Sequence, residues 1–172
     1  MTTIIETARL RLRTVALDDA AFYLGLVNDP AFIACIGDRG IRTLDAARDA
    51  LASGPMLMYA ARGHSLYIVE RREDGESIGM CGLIKRDTLA DVDIGYAMLP
   101  AWRGLGYCGE AAAAVLAHAR DTLGMHRLVA ICSPGNAASN ALLQKIGLQF
   151  ERLVHLTPED SGTNLYVCDW ET

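Results

Sequence analysis

Asp91 to Gly124 reads DVDIGYAMLPAWRGLGYCGEAAAAVLAHARDTLG, and its order of residue types governs how the rest of the chain is read. Asp91 to Leu99 has strand character and Pro100 stops it. An alanine-rich helix follows, with Ala112, Val115, Leu116, Ala119 and Leu123 at helical spacing and Gly124 as its cap. Between the two lies Arg103-Gly104-Leu105-Gly106-Tyr107-Cys108-Gly109. Glycines let a backbone close on a ligand, while the N–H groups and dipole of a helix start favour negative charge. The stretch is predicted to hold an anion on backbone amides.

Upstream, His64–Arg71 and Ser77–Lys85 read as two strands joined by the turn signal Asp74-Gly75, and Asp91–Leu99 makes the third strand of a meander. Thr7 to Thr14 alternates apolar and basic residues, so it reads as a half-buried strand. Asp18 is predicted to cap a helix carrying Phe22, Tyr23, Leu26 and Val27, which stops at Asn28-Asp29-Pro30. An irregular stretch with Gly37 and Gly40 leads to a short helix after Thr43, with Leu44, Ala47 and Leu51 on one face and Gly54-Pro55 as its end. Downstream come an apolar strand Leu128–Cys132, a turn at Ser133-Pro134-Gly135, a helix from Asn136 to Ile146, and closing strands around Leu148–Leu156 and Leu165–Trp170. The sum is a single domain over residues 1–172 of the α/β (α+β) class: a mixed, largely antiparallel central sheet of about six to seven strands with flanking helices.

The 172 residues are 51% hydrophobic and 22% charged, which suits a packed globular core and not disorder. A formal net charge of -5 argues against a general nucleic-acid binder, because phosphate neutralisation needs clustered Lys and Arg. Arg71-Arg72 and Lys85-Arg86 read as strand-end charges. Five scattered cysteines without a CxxC spacing point to a reducing compartment, and four distant histidines predict no metal site. Without a signal pattern or an apolar run of membrane-spanning length, a cytoplasmic protein with no membrane partner is expected.

Gly104, Gly106 and Gly109 satisfy GxGxxG, yet a dinucleotide fold wants the glycines directly after the strand and an acid ending the next strand. Here Pro100-Ala101-Trp102-Arg103 intervene, and the next strand ends Ala130-Ile131-Cys132-Ser133. No Gly-Lys-Ser/Thr follows, which excludes a Walker loop. The pattern that fits is [Q/R]-x-x-G-x-[G/A], met as Arg103-Gly104-Leu105-Gly106-Tyr107-Cys108 with Cys108 where Gly or Ala is usual. Ile94-Gly95-Tyr96, Pro100, Glu110-Ala111, the opening Thr7-Ala8-Arg9-Leu10-Arg11-Leu12-Arg13, Asp29-Pro30, Asn136-Ala137-Ala138-Ser139 and Gly147-Leu148 agree in order. Over almost its whole length the chain resembles the GNAT superfamily of acyl-CoA-dependent N-acetyltransferases, and within it the RimJ/RimL-like ribosomal-protein N-terminal acetyltransferases.

The resemblance implies that the Asp91–Leu99 and Leu128–Cys132 strands splay apart and admit acetyl-CoA. Its pantetheine would lie along the backbone of Ala97, Met98 and Leu99. Its pyrophosphate would rest on the amides of Leu105, Gly106, Tyr107, Cys108 and Gly109, with Arg103, Gly104, Asn136 and Ser139 as further cofactor contacts. The implied reaction is direct attack by a primary amine in a ternary complex, with amides near Ala97 and Met98 facing the oxyanion. Its partners are acetyl-CoA and an amine acceptor, and exposed closing strands make a homodimer a further expectation. A binding module that keeps the acyl-CoA groove without turnover is the alternative.

Three needs define the chemistry: a base for the amine, an oxyanion site and an acid for the thiolate. Asp93 is the candidate base, its pKa open to being raised by Asp91 on the same strand face; its other reading is a strand-start charge paired with Lys85 or Arg86. Ser139 is the candidate acid, or a first-turn serine behind an Asn136 N-cap. Tyr96 and Tyr166 are rival acids, or core tyrosines. Arg103 reads as a phosphate ligand or a surface arginine, Glu110 as a partner of the helix dipole, Cys108 as a small packing residue, and Trp102 as groove wall or core. The loop from Phe32 to Ile41 is expected to wall the acceptor, and the acidic balance favours a cationic amine, an N-terminal peptide amine or a polyamine-like molecule.

Overall fold

Central strands buried on both faces, such as Ser77–Ile84, build one sheet with helices on both sides. The computed structural model describes residues 1–171. Strands β1 (Thr3–Glu6) and β2 (Leu10–Arg13) precede four helices, α1 (Ala20–Val27), α2 (Pro30–Cys35), α3 (Leu44–Leu51) and α4 (Leu57–Arg62). Then come β3 (Leu66–Arg71), β4 (Ser77–Ile84), β5 (Asp93–Met98), α5 (Tyr107–Asp121), β6 (Arg127–Cys132), α6 (Ala137–Lys145), β7 (Gln149–Val154) and β8 (Thr163–Asp169). The eight strands run in the order β1-β2-β3-β4-β5-β6-β8-β7, one more than predicted because Thr3–Glu6 pairs with β2. Every pairing is antiparallel except β5–β6, which is parallel and touches in register only at Asp93–Val129.

Period two sorts the core onto the two faces. Tyr67 and Val69 of β3 join Cys81, Leu83, Ile94 and Met98 under the α5 residues Ala112, Val115 and Ala119. Ile68, between them in sequence, points the other way with Met80, beneath Leu26 and Val27 of α1, Phe32 of α2, and Ala47 and Leu51 of α3. On β5 the same alternation puts Tyr96 on the α5 face with Ile94 and Met98, and Ala97 on the α1–α3 face.

The helical region departs from the sequence reading in three places. The acid that orders the start of α1 is Asp19, not Asp18: it accepts from Ala16 N–H at 2.8 Å and holds Arg13 through both carboxylate oxygens at 2.9 and 2.8 Å. Pro30 opens α2 inside the stretch read as irregular, with Asp29 as N-cap accepting from Phe32 N–H at 3.1 Å. Proline fits a first helical turn because its missing N–H would have no partner there. Gly54-Pro55 does not end the third helix; a wide π turn over Ala52–Met56 carries the chain past Pro55 into α4, which stops at Gly63.

Candidate active site

Where β5 and β6 part, the sheet opens onto a cavity of about 690 Å³. Tyr96, Ala97 and Met98 form one wall, Ala130, Ile131 and Cys132 the other, and the starts of α5 and α6 close one end.

The glycine loop forms that end. Gly104 and Gly106 adopt φ of +72° and +83°, a left-handed conformation that favours glycine. Gly106 is the N-cap of α5 and offers no side-chain acceptor, and the Glu110 N–H is bonded back to Gly106 O at 3.1 Å. The amides of Tyr107, Cys108 and Gly109 precede the helical ladder, so they have no acceptor within the helix. Leu105 is exposed and Tyr107 turns away, its ring 4.3 Å beneath the Arg9 guanidinium, and neither is among the residues lining the cavity. Arg9 also donates to Leu105 O at 3.1 Å and pairs with Glu110 at 2.6 Å, while Glu110 accepts from Thr7 Oγ1 at 2.6 Å and Arg9 N–H at 2.9 Å. Burial alone would raise the Glu110 carboxyl, but these bonds outweigh it and hold the acid below its usual range. Glu110 is therefore the anchor between α5 and the β1–β2 turn, a larger role than a dipole partner.

Arg103 lines the cavity, but as a strut rather than a free phosphate ligand or a loose surface arginine. Its Nε donates to Met98 O at 3.0 Å and its Nη2 to Asp29 Oδ2 at 2.5 Å, tying the loop to α2. Trp102 also lines the cavity, packed edge-on to Tyr107 with the Arg71 guanidinium 4.3 Å over its ring.

Register decides which β5 amides reach the gap. Leu99 N–H donates to Ile78 O of β4 at 2.9 Å, whereas Val129 N–H of β6 donates to Val92 O at 3.0 Å. Backbone groups alternate sides along a strand, so Tyr96 and Met98 face the opening while Ala97 and Leu99 face β4. The expectation that Ala97 and Leu99 present backbone to the pantetheine is thus corrected. Ala97 contributes to the wall, and Leu99 lies outside the cavity lining.

Asp93 and Tyr96 flank the gap from opposite faces of the sheet. Asp93 is fully buried at the point where β5 and β6 still touch, with Arg86 Nε donating to its two oxygens at 3.1 and 3.2 Å. Burial raises its carboxyl to about 6, against the pull of Arg86. Asp91 is not the cause; it pairs with Arg127 at 3.1 Å. Tyr96 Oη and Ser139 Oγ are bonded, and Asn136 Oδ1 accepts from Ser139 N–H at 3.2 Å as the N-cap of α6. Ser139 therefore has a first-turn backbone bond and a side-chain bond facing the cleft. Tyr166 donates to Asn140 Oδ1 at 2.6 Å and lies outside the cleft. Burial pushes the Cys108 thiol up to about 12, so it stays protonated at the helix start.

The roles of Arg9, Asp29 and Glu110 escaped the sequence reading, although Thr7–Arg13, Asp29-Pro30 and Glu110-Ala111 stood among the matched motifs. Nothing local says that these segments meet.

The site is thus a cleft of about 690 Å³ between splayed parallel strands, with bare helix amides at one end. Residues 9–149 match the family described as Acetyltransferase (GNAT) domain, and the chain belongs to the GNAT acetyltransferase family. It is 29% identical over 164 residues to an uncharacterized N-acetyltransferase of Bacillus subtilis (strain 168), YoaA, covering 93% of this chain and 90% of the relative. The crystal structure of an acetyltransferase from Agrobacterium tumefaciens str. C58 superposes with a TM-score of 0.81 at 25% identity, covering 98% of this chain and 94% of that one. RimL, a ribosomal L7/L12 α-N-protein acetyltransferase solved with coenzyme A, shares the fold with a TM-score of 0.83 at 18% identity and 98% coverage of both chains.

Proposed function

We propose that this protein is a cytoplasmic acetyl-CoA-dependent N-acetyltransferase of the RimJ/RimL-like type, acting on a primary amine. One observation carries the reading: the cleft joins bare α5 amides at one end to a buried carboxylate, Asp93, and a bonded Tyr96–Ser139 pair at its centre. Acetyl-CoA is a substrate here. The amides of Tyr107, Cys108 and Gly109 would receive its pyrophosphate, and the unpaired edge of β5 its amide-bearing arm.

Asp93 takes the proton of the attacking amine, directly or through one water, and a carboxyl with a pKa near 6 is ionised at neutral pH for that task. The Met98 N–H, directed into the gap, stabilises the negative charge that develops on the thioester oxygen. As the new C–N bond forms the C–S bond breaks, and Tyr96, bonded to Ser139, supplies the thiolate with a proton. Base and acid stand on opposite sheet faces, so amine entry and thiol departure need not cross.

The test mixes the protein with acetyl-CoA and a panel of peptide N-termini, amino acids, polyamines and aminoglycosides, and follows released CoA thiol. Turnover on at least one amine supports the transferase. Tight acetyl-CoA binding with no thiol release on any of them identifies an acyl-CoA-binding module instead.

A further inference from the structure

The charge that lines the cleft has the opposite sign to that of the whole protein. The cleft's apolar wall includes Phe32 of α2, Ile36 just past that helix, and Met80 and Ile84 of β4. Around the entire cavity the charged lining is three arginines, Arg39, Arg86 and Arg103, against one carboxylate, Asp93, in a chain of net charge -5. Arg103 belongs to the glycine-loop end and is held by Asp29. Arg86 neutralises Asp93 through Nε and leaves its other two nitrogens without a carboxylate among the described residues, its side chain 32% exposed.

Arg39 is the unmatched charge. It lies just beyond α2, is exposed, and has no carboxylate partner among the described residues. The neighbouring acid, Asp38, is held by Arg42 at 2.7 Å, and Arg42 is further fixed by Asn28 Oδ1 at 2.7 Å. Tyr23 of α1 lines the same cleft, and burial raises its phenol above the ordinary value against the pull of the Arg39 guanidinium. The guanidinium offers donors only and the phenol O–H can donate one more, with Tyr23 packed on the sheet face of Ala97, which strand alternation makes the face of Asp93 as well.

We propose that the acceptor is a primary amine that also carries an anionic group, a carboxylate or a phosphate, which Arg39 and Tyr23 receive while the amine reaches Asp93. This rests on the transferase reading. A purely cationic polyamine would meet Arg39 and Arg86 with only one, already paired, carboxylate in return, an arrangement that selects against it. The net charge of the chain is therefore a poor guide to the acceptor. The planar, permanently charged guanidinium is suited to forked recognition of either anion.

The experiment compares matched acceptors that differ in the anion alone: an ω-amino carboxylate with its amide, phosphoethanolamine with ethanolamine, and spermidine as a cation. Wild type is expected to favour the anionic member of at least one pair by about 10-fold or more in kcat/KM, and the favoured pair tells carboxylate from phosphate. In Arg39→Gln the advantage collapses through acceptor KM, and in Arg39→Glu it inverts; melting temperatures show that the variants fold. Equal rates within both pairs, a preference for spermidine, or an advantage untouched in Arg39→Gln overturns the proposal. Calorimetric titration of the same compounds into CoA-loaded protein separates the two layers of the argument. If acetyl-CoA binds but no amine is acetylated, the transferase reading fails, while Arg39-dependent binding of the anionic amines still upholds the anion site and its absence overturns it.

Discussion

Tyr96 Oη and Ser139 Oγ stand 2.8 Å apart, joining β5 to the first turn of α6 across the place where the sheet opens. Burial raises the Tyr96 phenol far above its ordinary value, with the Ser139 bond pulling the other way. The phenol thus keeps its proton at any physiological pH, and the serine fixes where its hydroxyl stands.

Tyr96→Phe removes that proton while leaving the ring. It is expected to lower kcat by about 10²-fold at saturating acetyl-CoA, with little change in acetyl-CoA KM. Ser139→Ala should cost less, about 10-fold, because the tyrosine remains. Steady-state thiol release measures both, and a wild-type kcat in Tyr96→Phe would place the acid elsewhere.

Asp93 gives two linked expectations. With its carboxyl near 6, wild-type kcat should rise through about pH 6 and level off, and Asp93→Asn should lose that limb and about 10²-fold or more of kcat. Stability moves the other way. Below about pH 4 both folded and unfolded chains are protonated here. Between about 4 and 6 the unfolded chain releases the proton first, so folding weakens as pH rises, by roughly 3 kcal/mol in total. Asp93→Asn should therefore melt higher than wild type at pH 7.5 and show no such gain at pH 4, as thermal scans at the two pH values will report.

Gly104 and Gly106 separate strain from ligand contact. A Cβ at Gly104 meets open space, whereas one at Gly106 would sit 3.2 Å from Arg9 Nη2. Alanine at either site costs about 1 kcal/mol of left-handed strain. Gly106→Val should in addition weaken acetyl-CoA binding by about 10-fold or more, through a shifted loop and a displaced Arg9. Calorimetry decides, and an unchanged affinity in Gly106→Val would remove the anion site from this loop.

Asp29 caps α2 and holds Arg103, so Asp29→Ala should lose about 2 kcal/mol of stability. Asp29→Asn, which keeps an acceptor for the Phe32 N–H, should lose less. The Arg103 bond holds the Asp29 carboxyl below its ordinary range. Its contribution is therefore complete above the unfolded carboxylate pKa and disappears as pH falls through the lower folded value. Denaturant titrations of the three proteins at pH 7 and at about pH 2 check both statements.

Much of the sheet was legible because its signals are local: the alternation in β3 and β4, the Asp74-Gly75 turn, and the helical spacing and Gly124 stop of α5. Strand β1 was not, since Thr3–Glu6 is four residues long and acquires its identity only by pairing with β2. Pro55 misled for a different reason. A proline forbids one helical hydrogen bond, but a wide turn shifts the ladder around it, which the local pattern does not reveal. In the cleft, residue types indicated the anion loop, the candidate base and the Asn136 cap. Which β5 backbones face the gap depended on the register with β4, so Leu99 was placed on the wrong side. Arg103 and Asp29 are 74 residues apart, and only the fold brings the arginine read as a phosphate ligand to a helix cap.

The clasp of Thr7 and Arg9 on Glu110, with Arg9 reaching on to Leu105 O, couples the β1–β2 turn to the proposed donor pocket although neither residue lines it. Whatever steadies the glycine loop also steadies the first ten residues. Amide exchange at Thr7–Leu10 therefore slows when the donor binds, and a chain clipped between Glu6 and Leu10 loses donor affinity with every cleft residue intact.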